Sequence, residues 1–319
     1  MKIVDAVWEQ RNLGVTCYEI TFDTRDSLDD IKARWDELTD RQYLVFKVPP
    51  KRADIVAYIQ SQGFRFVEAA MTFSCDLRNW TLDEKFQPLC DQCTYAPMNG
   101  DDIEFMLNEI KSGIFKTDRV YLDPYFTHEQ AAQRYVNWAK DLIERGTVPH
   151  KVMYQGETVG FFITQITSPV RQKTSIGYLT GVYSEFEGTG AGIFIQHADT
   201  KHALDENAIE IEGVCSSNNQ AVLNCITAFG YKLKSIQYIF IKHTDQQSNV
   251  RTKIIELLKD IRPELDNGMP DSFDVVALVA AMQKEFGISI KGRDITPENF
   301  STVDGITALL ERYGVADEV

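Results

Sequence analysis

The sequence predicts an α/β (α+β) chain with a helical region at its C-terminal end. Three observations carry this. Strand-patterned and helix-patterned runs alternate from residue 1 to 243, punctuated by glycine and proline. One supersecondary unit, a helix closed by Gly-aromatic and followed by a strand, occurs twice, ending in Gly63-Phe64 and Gly230-Tyr231. Beyond residue 249, Phe273, Val276 and Val279 fall on an i, i+3 line, and Val275, Val279, Met282 and Phe286 follow i, i+4, i+7, i+11. A chain of 319 residues expects two or three domains.

In the first block, Asp26-Ser27-Leu28-Asp29-Asp30 starts a helix with Leu28, Ile31 and Trp35 on one face. Residues 43–48 read as a strand halted by Pro49-Pro50. Residues 51–62 read as a helix with Gly63 as its C-cap, and 64–68 and 70–77 as the next strands. In the second block, Thr127-His128-Glu129-Gln130 fits a capping box for a helix to Arg145. Residues 151–154, 158–164 and 175–183 read as strands, with Gly156 in the first turn. A helix over 192–205, a strand over 208–214, a helix over 220–229 and a strand over 236–242 complete the block. The connector 244–248 reaches at most about 17 Å. The C-terminal region follows it.

A net charge of −14 and a pI near 4.9 argue against nucleic acid or an anionic membrane as partner. From Val250 to Val319 there are eight Lys/Arg against thirteen Asp/Glu, so both halves share the acidity. No apolar run approaches the roughly 20 residues that span a bilayer, and no secretory leader pattern opens the chain. A cytoplasmic location is expected. Cys90-Asp91-Gln92-Cys93 is the only CxxC pattern. It has no second pair and no nearby histidine, and it lies between Pro88 and a Tyr-Ala-Pro loop, so it reads as free thiols in a connector. The five histidines show no ligand spacing, and no metal site is expected.

The turn Glu185-Phe186-Glu187-Gly188-Thr189-Gly190-Ala191-Gly192 joins a strand to a helix. Its three glycines let backbone N–H groups approach an anion, and the helix adds its positive end, so the turn reads as a phosphate cradle. Glycine-rich turns of this kind also occur with no ligand.

This block resembles the GNAT acyltransferase superfamily, whose loop reads (Gln/Arg)-x-x-Gly-x-(Gly/Ala). Glu187 to Gly192 overlays that pattern, with Gly190 and Gly192 at its glycines. Asn219 and the helix ending in Gly230-Tyr231 match the family's later Asn and Gly-Phe. More narrowly, the chain resembles the dTDP-fucosamine acetyltransferase branch, through residues 43–77 and Asp123-Pro124. The resemblance implies a mixed, mostly antiparallel sheet flanked by helices, with a partial copy of the fold in the N-terminal domain. It implies an acyl-CoA or acyl-carrier thioester held by Leu179, Gly181, Val182, Glu187, Gly188, Thr189, Gly190, Ala191, Gly192 and Asn219, and an amino-sugar nucleotide as acceptor.

Two residues depart from the family. Glu187 stands where the family has Arg or Gln and is repulsive beside a pyrophosphate. Ile226 stands where the family often has the tyrosine that protonates the leaving thiolate, and it has no proton to give. Tyr183 and Tyr231 are the neighbouring candidates, each equally suited to core packing. Glu210 and Glu212 alternate on a strand, and either could be a general base or a solvated face; Glu212 is taken as the catalytic candidate with Tyr183.

A serine opening a helix is either an N-cap or, being exposed near backbone donors, a place for a phosphate ester. Asp271-Ser272-Phe273, the helix exit over 285–290 and the Thr296–Ser301 run together make the last seventy residues resemble an acyl carrier protein. That resemblance implies a four-helix carrier bundle with 4′-phosphopantetheine on Ser272. The expected domains are 1–95 (partial GNAT-like), 96–243 (GNAT acyltransferase) and 249–319 (carrier). The expected partners are a phosphopantetheinyl transferase, an acyl-loading enzyme and a small-molecule amine. Two readings stay open: an N-acyltransferase with its own carrier, or a carrier serving separate enzymes, with an inactive docking domain. A loading module for polyketide or peptide assembly is a third, weakened by the lack of a synthase domain.

Overall fold

A computed structural model describes residues 1–167, 173–244, 250–261 and 272–315. Ten strands form one sheet: β1 (Lys2–Asp5), β2 (Cys17–Thr21), β3 (Tyr43–Val48), β4 (Arg65–Asp76), β5 (Cys93–Pro97), β6 (Pro149–Tyr154), β7 (Glu157–Thr167), β8 (Thr174–Val182), β9 (Glu210–Ser216) and β10 (Lys232–His243). Their order is β1-β2-β3-β10-β4-β9-β8-β7-β6-β5. The pairs β2/β3 and β8/β9 are parallel and the others antiparallel.

This order is a duplication. Exchange β1 with β7, β2 with β8, β3 with β9 and β4 with β10, and every pairing among these eight strands keeps its sense; β5 and β6 have no counterpart beside β1. One sequence offset carries Tyr43 to Glu210, Ala53 to Gln220, Gly63 to Gly230 and Phe64 to Tyr231. The helices Ala53–Ser61 and Gln220–Ala228 end alike. Gly63 and Gly230 have φ of 83° and 80°, and the next N–H reaches back to Ile59 O and Ile226 O, each at 3.1 Å. A left-handed φ at a helix end is cheap for glycine, so the chain reverses there and delivers the aromatic to the core. Each half then inserts its last long strand into the other, β10 between β3 and β4, and β4 between β10 and β9. The first two sequence blocks are therefore interleaved in one sheet.

Local detail differs from the sequence expectation in places. Residues 65–76 form one strand, because nothing between Glu68 and Ala70 breaks it and β10 and β9 pair along it. The helix begun at Ser27 breaks at Arg34 into Leu28–Ala33 and Trp35–Leu38. The strands β1, β2 and β5 and the helices Trp8–Leu13 and Gly100–Lys111 were not anticipated.

In the N-terminal half, Ile20, Leu44, Phe46 and Phe240 pack against Ile31, Leu38, Ile55 and Ile59. In the C-terminal half one sheet face meets the helices Gly100–Lys111 and His128–Glu144 through Met106, Ile110, Val136 and Leu142. The other face meets Gly192–Asp205 and Gln220–Ala228 through Ile195, Ala198, Ala203 and Ile226.

The chain divides into two compact units, Met1–Leu122 with His128–Thr244, and Asp123–Thr127 with Asp245–Val319. In the second, the helices Val250–Ile261, Ser272–Phe286, Pro297–Phe300 and Val303–Arg312 share a core of Ile254, Leu278, Met282, Phe300, Ile306, Leu309 and Leu310. Thr296 and Thr302 cap the last two through Asn299 N and Gly305 N. Among the described residues, no helix is long and apolar enough to cross a membrane.

Candidate functional site

The two parallel strands of the C-terminal half diverge. Residues 174–177 of β8 pair with 210–213 of β9, and the pairing stops at Gly177 and Gly213. Beyond that point β8 follows β7 and β9 follows β4. The register of β7 against β8 slips between Ile163/Leu179 and Thr164/Gly177, leaving Tyr178 as a bulge that turns β8 away. The V-shaped gap holds a cavity of about 80 Å³, open at its mouth. Along Tyr178–Val182, β8 has β7 on one side and, among the described residues, no strand on the other. That bare edge can pair with an extended ligand.

At the end of this edge lies the glycine turn. Gly188 and Gly190 have φ of 79° and 88°. Thr189 is engaged locally, its N–H and hydroxyl both donating to Phe186 O. The N–H groups of Gly188, Gly190, Ala191 and Gly192 have no acceptor among the described residues. A Cβ at Gly188, Gly190 or Gly192 would meet nothing within 4 Å, so the turn faces open space. Ala191 precedes the helix Gly192–Asp205 without a side-chain cap. Unpaired N–H groups at a helix start are an anion site. The turn is fixed from behind, where Glu109 accepts from Ser184 N at 2.7 Å.

Leu179 is buried against the helices of the first face, and Gly181 lies so close to Phe161 that a Cβ would come within 2.6 Å of its ring. Val182 packs with the core of the second face. Glu187 is exposed and forms an ion pair with Lys116 at 3.2 Å, a partner 71 positions away that no local pattern reveals. Asn219 caps the helix Gln220–Ala228, its side-chain oxygen accepting from Val222 N at 3.1 Å. Glu212 borders the cleft and pairs with Lys234, which also lies 3.5 Å from Glu210. Tyr183 packs edge-on to Phe105 at 5.0 Å in the core and does not line the cavity. Ile226 does line it. Ser272 is the first residue of its helix; its side chain, and Asp271, lie outside the described residues. Burial raises the Cys90 thiol to about 11 and the Cys93 thiol to about 12, so both stay protonated and poorly nucleophilic.

The closed end of the V contains groups that the sequence did not single out. Asp199 is buried, and its Oδ1 accepts from the Thr164 hydroxyl at 2.8 Å. Tyr231 OH accepts from Gln196 Nε2 at 2.8 Å and lies 3.2 Å from Thr200 Oγ1. The Thr200 proton is committed to Gln196 O, so Tyr231 donates to Thr200. Burial, and then the charge of Asp199, hold Tyr231 well above the usual tyrosine range, so its hydroxyl is neutral. Helical spacing in Gly192–Asp205 could have placed Gln196, Asp199 and Thr200 on one face; nothing local said that this face meets a cavity.

The N-terminal half lacks these features. β2 pairs with β3 from Cys17 through Thr21 with no divergence, and the residues after β2, Phe22 to Ser27, hold no glycine and carry Asp23 and Asp26.

No protein-family model matches the chain, and no curated protein matches it in sequence. Solved structures do match its fold. A GCN5-related N-acetyltransferase from Sphaerobacter thermophilus superimposes with a TM-score of 0.50 at 10% identity, over 76% of this chain and 75% of that one. A GCN5-related glucosamine N-acetyltransferase region of a fungal multi-domain GH3 β-N-acetylglucosaminidase gives 0.52 at 11% identity, over 76% of this chain and 31% of that protein. The α/β unit thus has the GNAT fold, on a ten-stranded mixed sheet.

Proposed function

We propose that the chain is an N-acyltransferase that moves an acyl group from a phosphopantetheine thioester to an amine. The donor is acyl-CoA or the chain's own C-terminal region acting as an acyl carrier, and the acceptor class is an amino-sugar nucleotide. The observation that supports this most is the bare edge of β8 leading to the glycine turn. A pantetheine arm carries amides that can pair with that edge. A phosphate can accept from the N–H groups of Gly188, Gly190, Ala191 and Gly192.

In this reading the amine nitrogen attacks the thioester carbonyl, a C–N bond forms, the C–S bond breaks, and the thiolate takes up a proton. Ile226 has none to give. Tyr231 lines the same cleft with a neutral hydroxyl and is the proton source assigned here, once that hydroxyl turns from Thr200 Oγ1 to the thiolate. The amine must lose its own proton. Glu212 borders the cleft and can take it through water once free of Lys234.

The carrier role rests on the resemblance around Ser272 and on the short helices of the second unit, which share one core among the described residues. Tethering would raise the effective donor concentration without new contacts. The acceptor class rests on resemblance alone. The rival reading, a carrier with an inactive docking domain, is favoured by Ile226. Purified full-length chain, given acetyl-CoA and a panel of amino-sugar nucleotides, separates the two. Thiol release matched by an acylated amine is expected, and its absence with every donor and acceptor would leave only the rival.

A further inference from the structure

We propose that the closed end of the cleft is a subsite for an acyl group bearing a protonated amine, an aminoacyl group, held by the unshared oxygen of Asp199. The inference rests on the donor reading above. An arm that starts at the glycine turn and follows β8 back towards Gly177 ends where β8 and β9 meet. What stands there faces the acyl group.

Asp199 stands there. It lines the cavity, and its Oδ2 lies 3.9 Å from where a Cβ on Gly177 would sit. Thr164 occupies Oδ1, and Oδ2 has no hydrogen-bond partner among the described residues. Among the described residues, no Lys, Arg or His lines the cavity. A buried carboxylate without a cation is costly, and the cost is removed when a ligand supplies one. Burial, partly opposed by the Thr164 hydrogen bond, pushes this carboxyl up to about 6, so near neutral pH it is largely charged and ready to receive an ammonium. The walls beside it, Phe73, Ile211 and Ile226, suit a short methylene chain. A carboxylated acyl group would be repelled. A hydroxyacyl group would satisfy the hydrogen bond but not the charge.

The test is calorimetric titration of the full-length chain with three CoA thioesters of equal length: β-alanyl-CoA, 3-hydroxypropionyl-CoA and butyryl-CoA. They end in an ammonium, a hydroxyl and a methyl group. β-Alanyl-CoA is expected to bind about tenfold more tightly than butyryl-CoA, with the hydroxyl compound between. In Asp199→Asn, which keeps the Thr164 hydrogen bond, the three should converge. Butyryl-CoA binding as tightly as β-alanyl-CoA in the wild type overturns the proposal. So does tightest binding of the hydroxyl compound, or an ammonium advantage that survives Asp199→Asn. If none of the three binds, the donor reading itself falls and the subsite with it. The wild-type series needs no variant to fold.

Discussion

Lys116 Nζ lies 3.2 Å from the carboxylate of Glu187, the residue that departs from the family pattern at the glycine turn. The repulsion expected from Glu187 is thereby balanced by a cation from outside the motif. Both side chains are exposed, so the pair itself is worth little to stability, up to about 1 kcal/mol. Its consequence lies in donor binding. Lys116→Met should leave Glu187 uncompensated and weaken CoA binding about threefold to tenfold. Glu187→Gln should free Lys116 for the phosphates and strengthen binding by a similar factor. Both effects should shrink at high salt and vanish for pantetheine thioesters that lack the nucleotide. Equal shifts in one direction for both variants would refute the charge argument.

The glycine turn makes a second prediction. Gly192 has no left-handed φ, and a Cβ there meets nothing within 4 Å. Gly192→Val should therefore fold normally and still put a side chain where a phosphate must come close. Transfer is expected to fall at least about tenfold, with the melting temperature within about 2 °C of wild type. Gly190→Val is a poorer probe, because a β-branched residue at φ 88° adds strain of about 1–2 kcal/mol. Undiminished transfer in Gly192→Val would remove the phosphate from this turn.

Asp199 ties the site to stability. Burial raises its carboxyl from 3.8 to about 6, and the Thr164 hydroxyl only partly opposes this. Between about pH 4 and 6 the folded protein holds a proton that the unfolded chain has released, so stability falls as pH rises through that window. Above it this contribution is constant. Asp199→Asn cannot titrate. The variant should therefore gain on the wild type by on the order of 2–3 kcal/mol between pH 4 and 7 in urea unfolding. A difference that stays constant across this range would mean that the carboxyl is not buried as described.

What could be read from the sequence follows from how local each signal is. The two helix-Gly-aromatic-strand units were legible because a Schellman end is encoded within a few residues, and Gly63 and Gly230 both adopt it. The glycine turn was legible for the same reason. The exchange of β4 and β10 between halves was not, because strand order is set by partners far apart in sequence. The helix Gly100–Lys111 was missed although Asn99 and Asp102 form a capping box, since their pattern is Asn-x-x-Asp and not the commoner Ser/Thr-x-x-Glu. Lys116 and Asp199 acquire their meaning only across the fold, the one from Glu187 and the other from a cavity between diverging strands.

The buried charges of the N-terminal half show a role for it other than donor binding. Arg119 lies 3.0 Å from Glu9 and 2.6 Å from Glu19, and Arg134 reaches Glu9 at 2.9 Å. Glu19 is on β2, Glu9 on the helix Trp8–Leu13 and Arg134 on His128–Glu144, so the network joins the halves. Arg119→Met should cost about 2–3 kcal/mol, because Glu9 and Glu19 each lose one charged hydrogen bond while Arg134 stays on Glu9 and Lys47 on Glu19. Arg119→Met with Glu19→Leu should recover part of that loss. Urea unfolding of the two variants checks this, and a single variant as stable as wild type would show that the network is solvated.

The last prediction concerns Ser272, which begins the helix Ser272–Phe286. Under the carrier reading, co-expression with a phosphopantetheinyl transferase should add one phosphopantetheine mass to the intact chain. Ser272→Ala should abolish the addition. The apolar core of Leu278, Met282 and Leu309 lies further along these helices, so the variant should melt like wild type. The modified chain, loaded with an acyl group, should then acylate an amine in a single turnover without added CoA. The rate should be independent of protein concentration if the donor is in cis, because a tether fixes the local concentration. A rate that rises linearly with concentration would assign delivery to a second molecule. An intact mass unchanged under forcing conditions would instead return Ser272 to the role of a plain helix start and leave free acyl-CoA as the donor.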